Sequence, residues 1–119
     1  MGESLFHVTN EASAHFMHFT VPPTIDTMEI DSLIANVLAS LEPASSEKWV
    51  MDLTQVSYMG SSMLGLMVNI RERIRRSNGK LALCGLSPQL MRVFQTCCLE
   101  RLFLIAKTRE EAVLLLARK

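Results

Sequence analysis

No stretch of this 119-residue chain approaches the roughly twenty consecutive apolar residues of a membrane-spanning helix. Its start, MGESLFHVTN, has no basic segment leading into an apolar one, so no membrane insertion is expected and the cytoplasm is the expected location. Neither sign of charge prevails: twelve basic side chains balance twelve acidic ones, so no global field draws the chain to nucleic acid or anionic lipid. Cysteine is scarce, odd in number and without a CxxC pair; Cys84 falls in an apolar run and Cys97-Cys98 lie near a helix end, a pattern read as reduced, buried thiols. The only histidines are His7, His15 and His18, and His15 and His18 fall on opposite faces of one strand. That spacing suggests neither a hydrolase base nor a paired metal site, and no metal or cofactor is expected. Internal repeats and low-complexity segments are also missing, which leaves one ordinary domain, residues 1–119, able to bury a core without metals or disulfides.

What the chain does have is a strand running through a short turn into a helix. Residues 49–53 (WVMDL) are apolar except for Asp52, as in a strand buried on both faces of an α/β sheet. From Met63, the apolar positions Met63, Met67, Ile70 and Ile74 recur at helical spacing, which puts Gly60, Ser61 and Ser62 at the helix N-terminus. Unpaired N–H groups and the positive end of the dipole meet ligands and partners there. A serine at that point is expected to cap the helix, and Met63, close to the helix start, is expected to be exposed.

Around this unit, residues 5–9 and 14–21 read as a β-hairpin ended by Pro22-Pro23. Asp26 with Glu29 forms a capping box opening a helix whose stripe is Ile30, Leu33, Ile34, Val37, Leu38 and Leu41, stopped by Pro43. After Ser77-Asn78-Gly79, residues 81–84 form a second buried strand. Ser87-Pro88 then starts a helix with Leu90, Phe94 and Cys97 or Cys98 inward. Residues 102–105 make a short strand, and Thr108 with Glu111 caps a last helix that buries Ala112, Leu115 and Leu116 and ends on Arg118-Lys119. The order β-β-α-β-α-β-α-β-α implies an α/β domain with a mixed, mostly parallel sheet and about four packed helices.

Two catalytic readings of the turn fail. Gly60 to Gly65 has the spacing of a phosphate-binding loop, but Leu66-Met67 stand where a Lys and a Ser or Thr are needed. A nucleophile elbow fails because Leu64 occupies the place of its second glycine. Arg71, Arg73, Arg75 and Arg76 form a basic cluster that complements the dipole in the last turns of the helix and could also meet an acidic partner or phosphate.

The succession Asp52-Leu53, Tyr58-Met59-Gly60-Ser61-Ser62, Gly79-Lys80-Leu81, Ser87-Pro88 and Thr108-Arg109-Glu110-Glu111-Ala112 resembles the STAS domain, and within it the bacterial anti-sigma factor antagonists. The resemblance covers nearly the whole chain. It implies a non-enzymatic, protein-binding module that regulates transcription by switching partners with an anti-sigma factor that is also a serine protein kinase. It places Ser61 on the family's phosphoacceptor serine and Ile25-Asp26 on its Leu-Asp pair, so that Asp26, Gly60, Ser61, Ser62, Met63 and Leu64 are the implied partner-binding residues. Two positions depart from the family's motif: Gly60 stands for its aspartate, and Met63 for a small residue. These departures favour the alternative of a non-phosphorylated STAS subunit of a larger signalling or lipid-transport assembly.

Overall fold

The computed structural model describes residues 6–11, 14–20, 27–41 and 47–117. Asp26 and its capping box, Pro22-Pro23, Pro43 and Arg118-Lys119 lie outside the described residues. The elements follow the expected order: β1 (Phe6–Asn10), β2 (His15–Phe19), α1 (Thr27–Leu41), β3 (Lys48–Asp52), α2 (Ser61–Arg76), β4 (Lys80–Cys84), α3 (Pro88–Thr96), β5 (Leu104–Ala106) and α4 (Arg109–Ala117). The five strands lie side by side in sequence order. β1 and β2 are antiparallel, and every later pair is parallel.

That order decides where the helices go. Successive parallel strands that step in one direction along a sheet, joined by crossovers of one hand, must carry their helices on one face. Accordingly α1, α2 and α3 share a large core with Met17, Phe19, Trp49, Met51 and Leu83. α4 follows the last strand, is free of that rule, and covers the opposite face through Ala112 and Leu116. The residues beneath it are mostly small, among them Ala82, Cys84 and Ala106, which lets the helix approach closely. β3 is buried on both sides because Trp49 and Met51 point to the first layer and Val50 to the second.

Several local expectations are corrected. In α1, Ile30, Leu33, Val37 and Leu41 are buried while Ile34 and Leu38 are only half-buried, so the stripe is narrower than the sequence pattern. Leu33→Ala should therefore cost about 2–5 kcal/mol and Leu38→Ala distinctly less. Equal losses in a urea titration would show that the helix presents another face. In α4 Leu115 is half-buried, not buried with Leu116. The last strand begins at Leu104, because residues 99–101 wind a 3-10 turn in which Leu102 N–H donates to the Leu99 carbonyl at 2.9 Å.

The cysteine expectation holds for one thiol of three. Cys84 is buried, and burial, with the Asp52 carboxylate second, pushes its pKa up to about 11. Cys97 and Cys98 are exposed. α3 stops at Thr96, Cys97 serves as its C-cap, and Cys98 turns to a left-handed φ of 59°, which takes both off the Leu90 and Phe94 stripe.

The candidate partner-binding site at the start of helix α2

β3 ends on Asp52, whose Oδ1 accepts hydrogen bonds from the Thr54 N–H at 3.0 Å and from the Thr54 hydroxyl. This pair starts the turn after the strand. Leu53 N–H donates to the Cys84 carbonyl at 2.9 Å, so the turn is tied to the end of β4. Gly85 follows with φ of 77°, and a Cβ there would lie 2.6 Å from Thr54 Oγ1, so only glycine fits beside the turn. Val56 and Met59 then bury their side chains and hold the loop down, while Tyr58 between them is 53% exposed.

α2 begins after this loop, and its cap is Gly60, not a serine. Gly60 is extended, at φ −84° and ψ −177°, and its carbonyl accepts the first helical bond from Leu64 N–H at 3.0 Å. The expectation that Ser61 or Ser62 caps the helix is thus overturned: both already lie inside the first turn, where a side chain as short as serine's does not reach back to the end N–H groups. Ser61 and Ser62 are exposed, and neither hydroxyl has a hydrogen-bond partner among the described residues. The first turn contains no acidic side chain, so no carboxylate of its own offsets the positive end of the dipole.

The expected exposure of Met63 is also overturned. It is 2% exposed and packs into the core with Leu66, Met67, Ile70 and Ile74. A residue in the first helical turn already lies on the stripe that faces the sheet, since the 3.6-residue period does not relax at helix ends. Leu64 is half-buried, and Gly60 has nothing within 4 Å of where a Cβ would stand. The accessible part of the site is therefore Gly60, Ser61, Ser62 and the edge of Leu64.

Topology adds two residues that the sequence reading did not place in the site. β2 and β3 are parallel and each leads into a helix, so the starts of α1 and α2 lie at the same edge of the sheet. Met28, in the first turn of α1, is 81% exposed, and Tyr58 precedes α2 at the same edge. Met28 sits off the Ile30, Leu33 and Val37 stripe, so the helical pattern already placed it outward; Tyr58 gave no such signal.

On the opposite, α4-side face, Asp52 Oδ2 lies 3.5 Å from His18 Nδ1, His18 Nε2 lies 3.2 Å from Thr9 Oγ1, and the His7 and His18 rings stack at 4.6 Å. Burial and then the neighbouring His7 lower the His18 pKa. Burial acts to raise the Asp52 pKa, but the Thr54 hydrogen bonds and His18 outweigh it and the net shift is downward. For both groups the folded chain takes up its proton later than the unfolded chain. Their contribution to stability is complete above the unfolded values and is lost as pH falls through the folded ones. Stability should accordingly decline below about pH 6.5. His18→Gln should flatten the upper part of that decline in urea titrations at stepped pH, and an unchanged slope would exclude His18 as its source.

The frame of a five-stranded sheet with helices on both faces is shared with known proteins. Residues 7–112 match the STAS domain, and the chain belongs to that family. A Bordetella bronchiseptica relative named as an anti-sigma factor antagonist, BtrV, is 26% identical over 88 residues, covering 74% of this chain and 75% of its own. The anti-sigma-B factor antagonist of Listeria monocytogenes is 46% identical over 44 residues, 37% of this chain and 39% of its own. Among solved structures, an anti-sigma-factor antagonist (STAS) domain protein from Planctomyces limnophilus superposes with a TM-score of 0.83 at 30% identity, covering 95% of this chain and 98% of that one.

Proposed function

We propose that this chain is a partner-switching protein of the anti-sigma factor antagonist type. It binds an anti-sigma factor that is also a serine kinase, at the edge carrying Gly60, Ser61, Ser62 and Leu64, and phosphorylation of Ser61 releases it. Asp26, outside the described residues, and the buried Met63 belong to the same reading: the first as a contact, the second as the residue that holds the helix start against the core. The cytoplasm is the compartment in which such an exchange with a transcription regulator takes place. The observation that carries the proposal is Ser61 itself, exposed in the first turn of α2, with no hydrogen-bond partner among the described residues and no acidic neighbour in that turn.

The chemistry of release is electrostatic. A phosphoserine adds about −1.5 to −2 charges at neutral pH. The helix N-terminus accommodates that charge within the chain, because free N–H groups and the dipole favour an anion. A docked acidic or apolar partner surface does not. With the partner kinase and ATP, phosphate should appear on Ser61, be absent from Ser61→Ala and persist in Ser62→Ala by mass spectrometry.

A second reading, a constitutive STAS subunit of a larger signalling or lipid-transport assembly, is favoured by Gly60, which leaves the helix start without the family's carboxylate. The space around Gly60 separates the two. A side chain there meets nothing within 4 Å and the backbone is in an ordinary extended region, so Gly60→Asp should fold normally. It should also speed phosphorylation if the kinase reads that carboxylate. Absence of phosphate on both wild type and Gly60→Asp, with equal partner binding by both, would replace the switch with the constitutive module.

A further inference from the structure

The far end of α2 holds a second surface. Arg71, Arg75, Arg101, Leu102 and Leu104 line a cavity of about 200 Å³, floored by the buried Ile74 and Phe103. Dipole complementation explains arginines in the last turn of a helix. It does not explain Arg101, which comes from the 3-10 turn 26 residues after Arg75 and is brought to the same groove by the return of the chain into β5. Nor does it explain Leu102, left open to solvent beside them at 38%.

We infer that this groove is a docking surface for a partner segment that combines acidic residues with a large apolar anchor. Charge complementarity identifies the occupant. Three arginines line the groove; Glu72 pairs with Arg71 at 2.9 Å and reaches Arg75 only at 3.9 Å, and Arg101 has no ion-pair partner among the described residues. In a chain of balanced total charge, this is a local excess of positive charge. Leu102 and the apolar floor make the groove amphipathic, which suits a polypeptide better than a nucleic acid backbone, whose recognition rests on phosphate contacts. Arg71 serves a different end: its Nε donates to the Leu102 carbonyl at 2.6 Å and fixes the wall of the groove. Leu104 opens β5, the strand at the end of the sheet order, so an extended segment laid along it also meets an unpaired strand edge.

The groove is remote from the serine pair. Sixteen residues of helix separate the two ends of α2 by about 24 Å. A segment docked at Arg75 and Arg101 therefore leaves Ser61 free, and the domain can hold two partners at once.

The test uses the full chain, isotope-labelled, titrated with a synthetic peptide of about eight residues, Asp and Glu with one Leu and one Phe. Amide shifts should concentrate at residues 71–76 and 101–105 and spare 60–64. The double variant Arg75→Glu with Arg101→Glu, both surface changes, should weaken binding at least about tenfold, and Leu102→Ser should weaken it several-fold, with unchanged circular dichroism. The proposal is overturned if a peptide with serine in place of Leu and Phe binds as well, or if a single-stranded oligonucleotide of equal charge binds as tightly. It is also overturned if shifts centre on residues 60–64, or if no binding occurs at about 1 mM peptide.

Discussion

Ser61→Asp is expected to weaken binding to the kinase or anti-sigma partner about a hundredfold, a change of about 3 kcal/mol, while leaving the fold as stable as before or more so. The two effects separate because the same charge meets two environments. Within the chain, the new carboxylate sits in the first turn of α2, where the first turn holds no other acid, and a charge so placed contributes about 0.3–1 kcal/mol in its favour. Across the interface it must lose water against a partner surface shaped for a neutral hydroxyl. Calorimetric titration of wild type and variant against the partner, paired with urea unfolding of each alone, reads both quantities. Binding and stability falling together would mean that Ser61 is a packing residue. Binding left intact would mean that the partner docks elsewhere.

Phe94→Ala should be among the most damaging single substitutions in the core, at about 3–5 kcal/mol, a large fraction of the stability of an ordinary domain. Phe94 is fully buried in the last turn of α3, and its ring meets that of Phe103 edge-on at 5.8 Å. That contact fastens the segment between α3 and β5 to the main core, because Phe103 immediately precedes the strand. Removing the ring leaves a cavity under the edge of the sheet. Local loosening should follow there, and hydrogen exchange in residues 99–106 should accelerate ahead of global unfolding. A loss below about 1 kcal/mol would show that the β5 end is held by α4 instead.

Features carried by a few neighbouring residues could be read from the sequence. The stripe of α1, the Ser87 cap with Pro88 and the Thr108 cap are of this kind, and the structure bears out each cap: Ser87 Oγ accepts from Leu90 N–H and Thr108 Oγ1 from Glu111 N–H, both at 3.1 Å. Only the reciprocal half of the Thr108 capping box differs, since Glu111 reaches back to Lys107 N–H and not to Thr108. The order of the elements along the chain and the sheet class followed from the same periodicities, while the order of the strands within the sheet came from the structure. The placement of Ser61 at the N-terminal end of α2 also followed from those periodicities, though not its position inside the first turn.

Tertiary structure decided whatever depends on a helix's rotation or on two distant segments meeting. One residue of phase determined that Gly60 and not Ser61 caps α2, a difference below what an apolar pattern resolves, whereas Met63 follows the Met67, Ile70 and Ile74 stripe inward although its place near the helix start had suggested exposure. The end of α3 put Cys97 and Cys98 outside because the helix stopped one residue before the first of them, and helix ends are set by competing bonds, not by pattern. The convergence of Arg101 on Arg71 and Arg75, and of His18 on Asp52, joins residues about thirty positions apart through the sheet. By itself the sequence determined the elements, their order along the chain and the serine pair at the head of α2; packing alone determined how much of that helix start is left open, because burial is a property of the assembled layers and not of any segment.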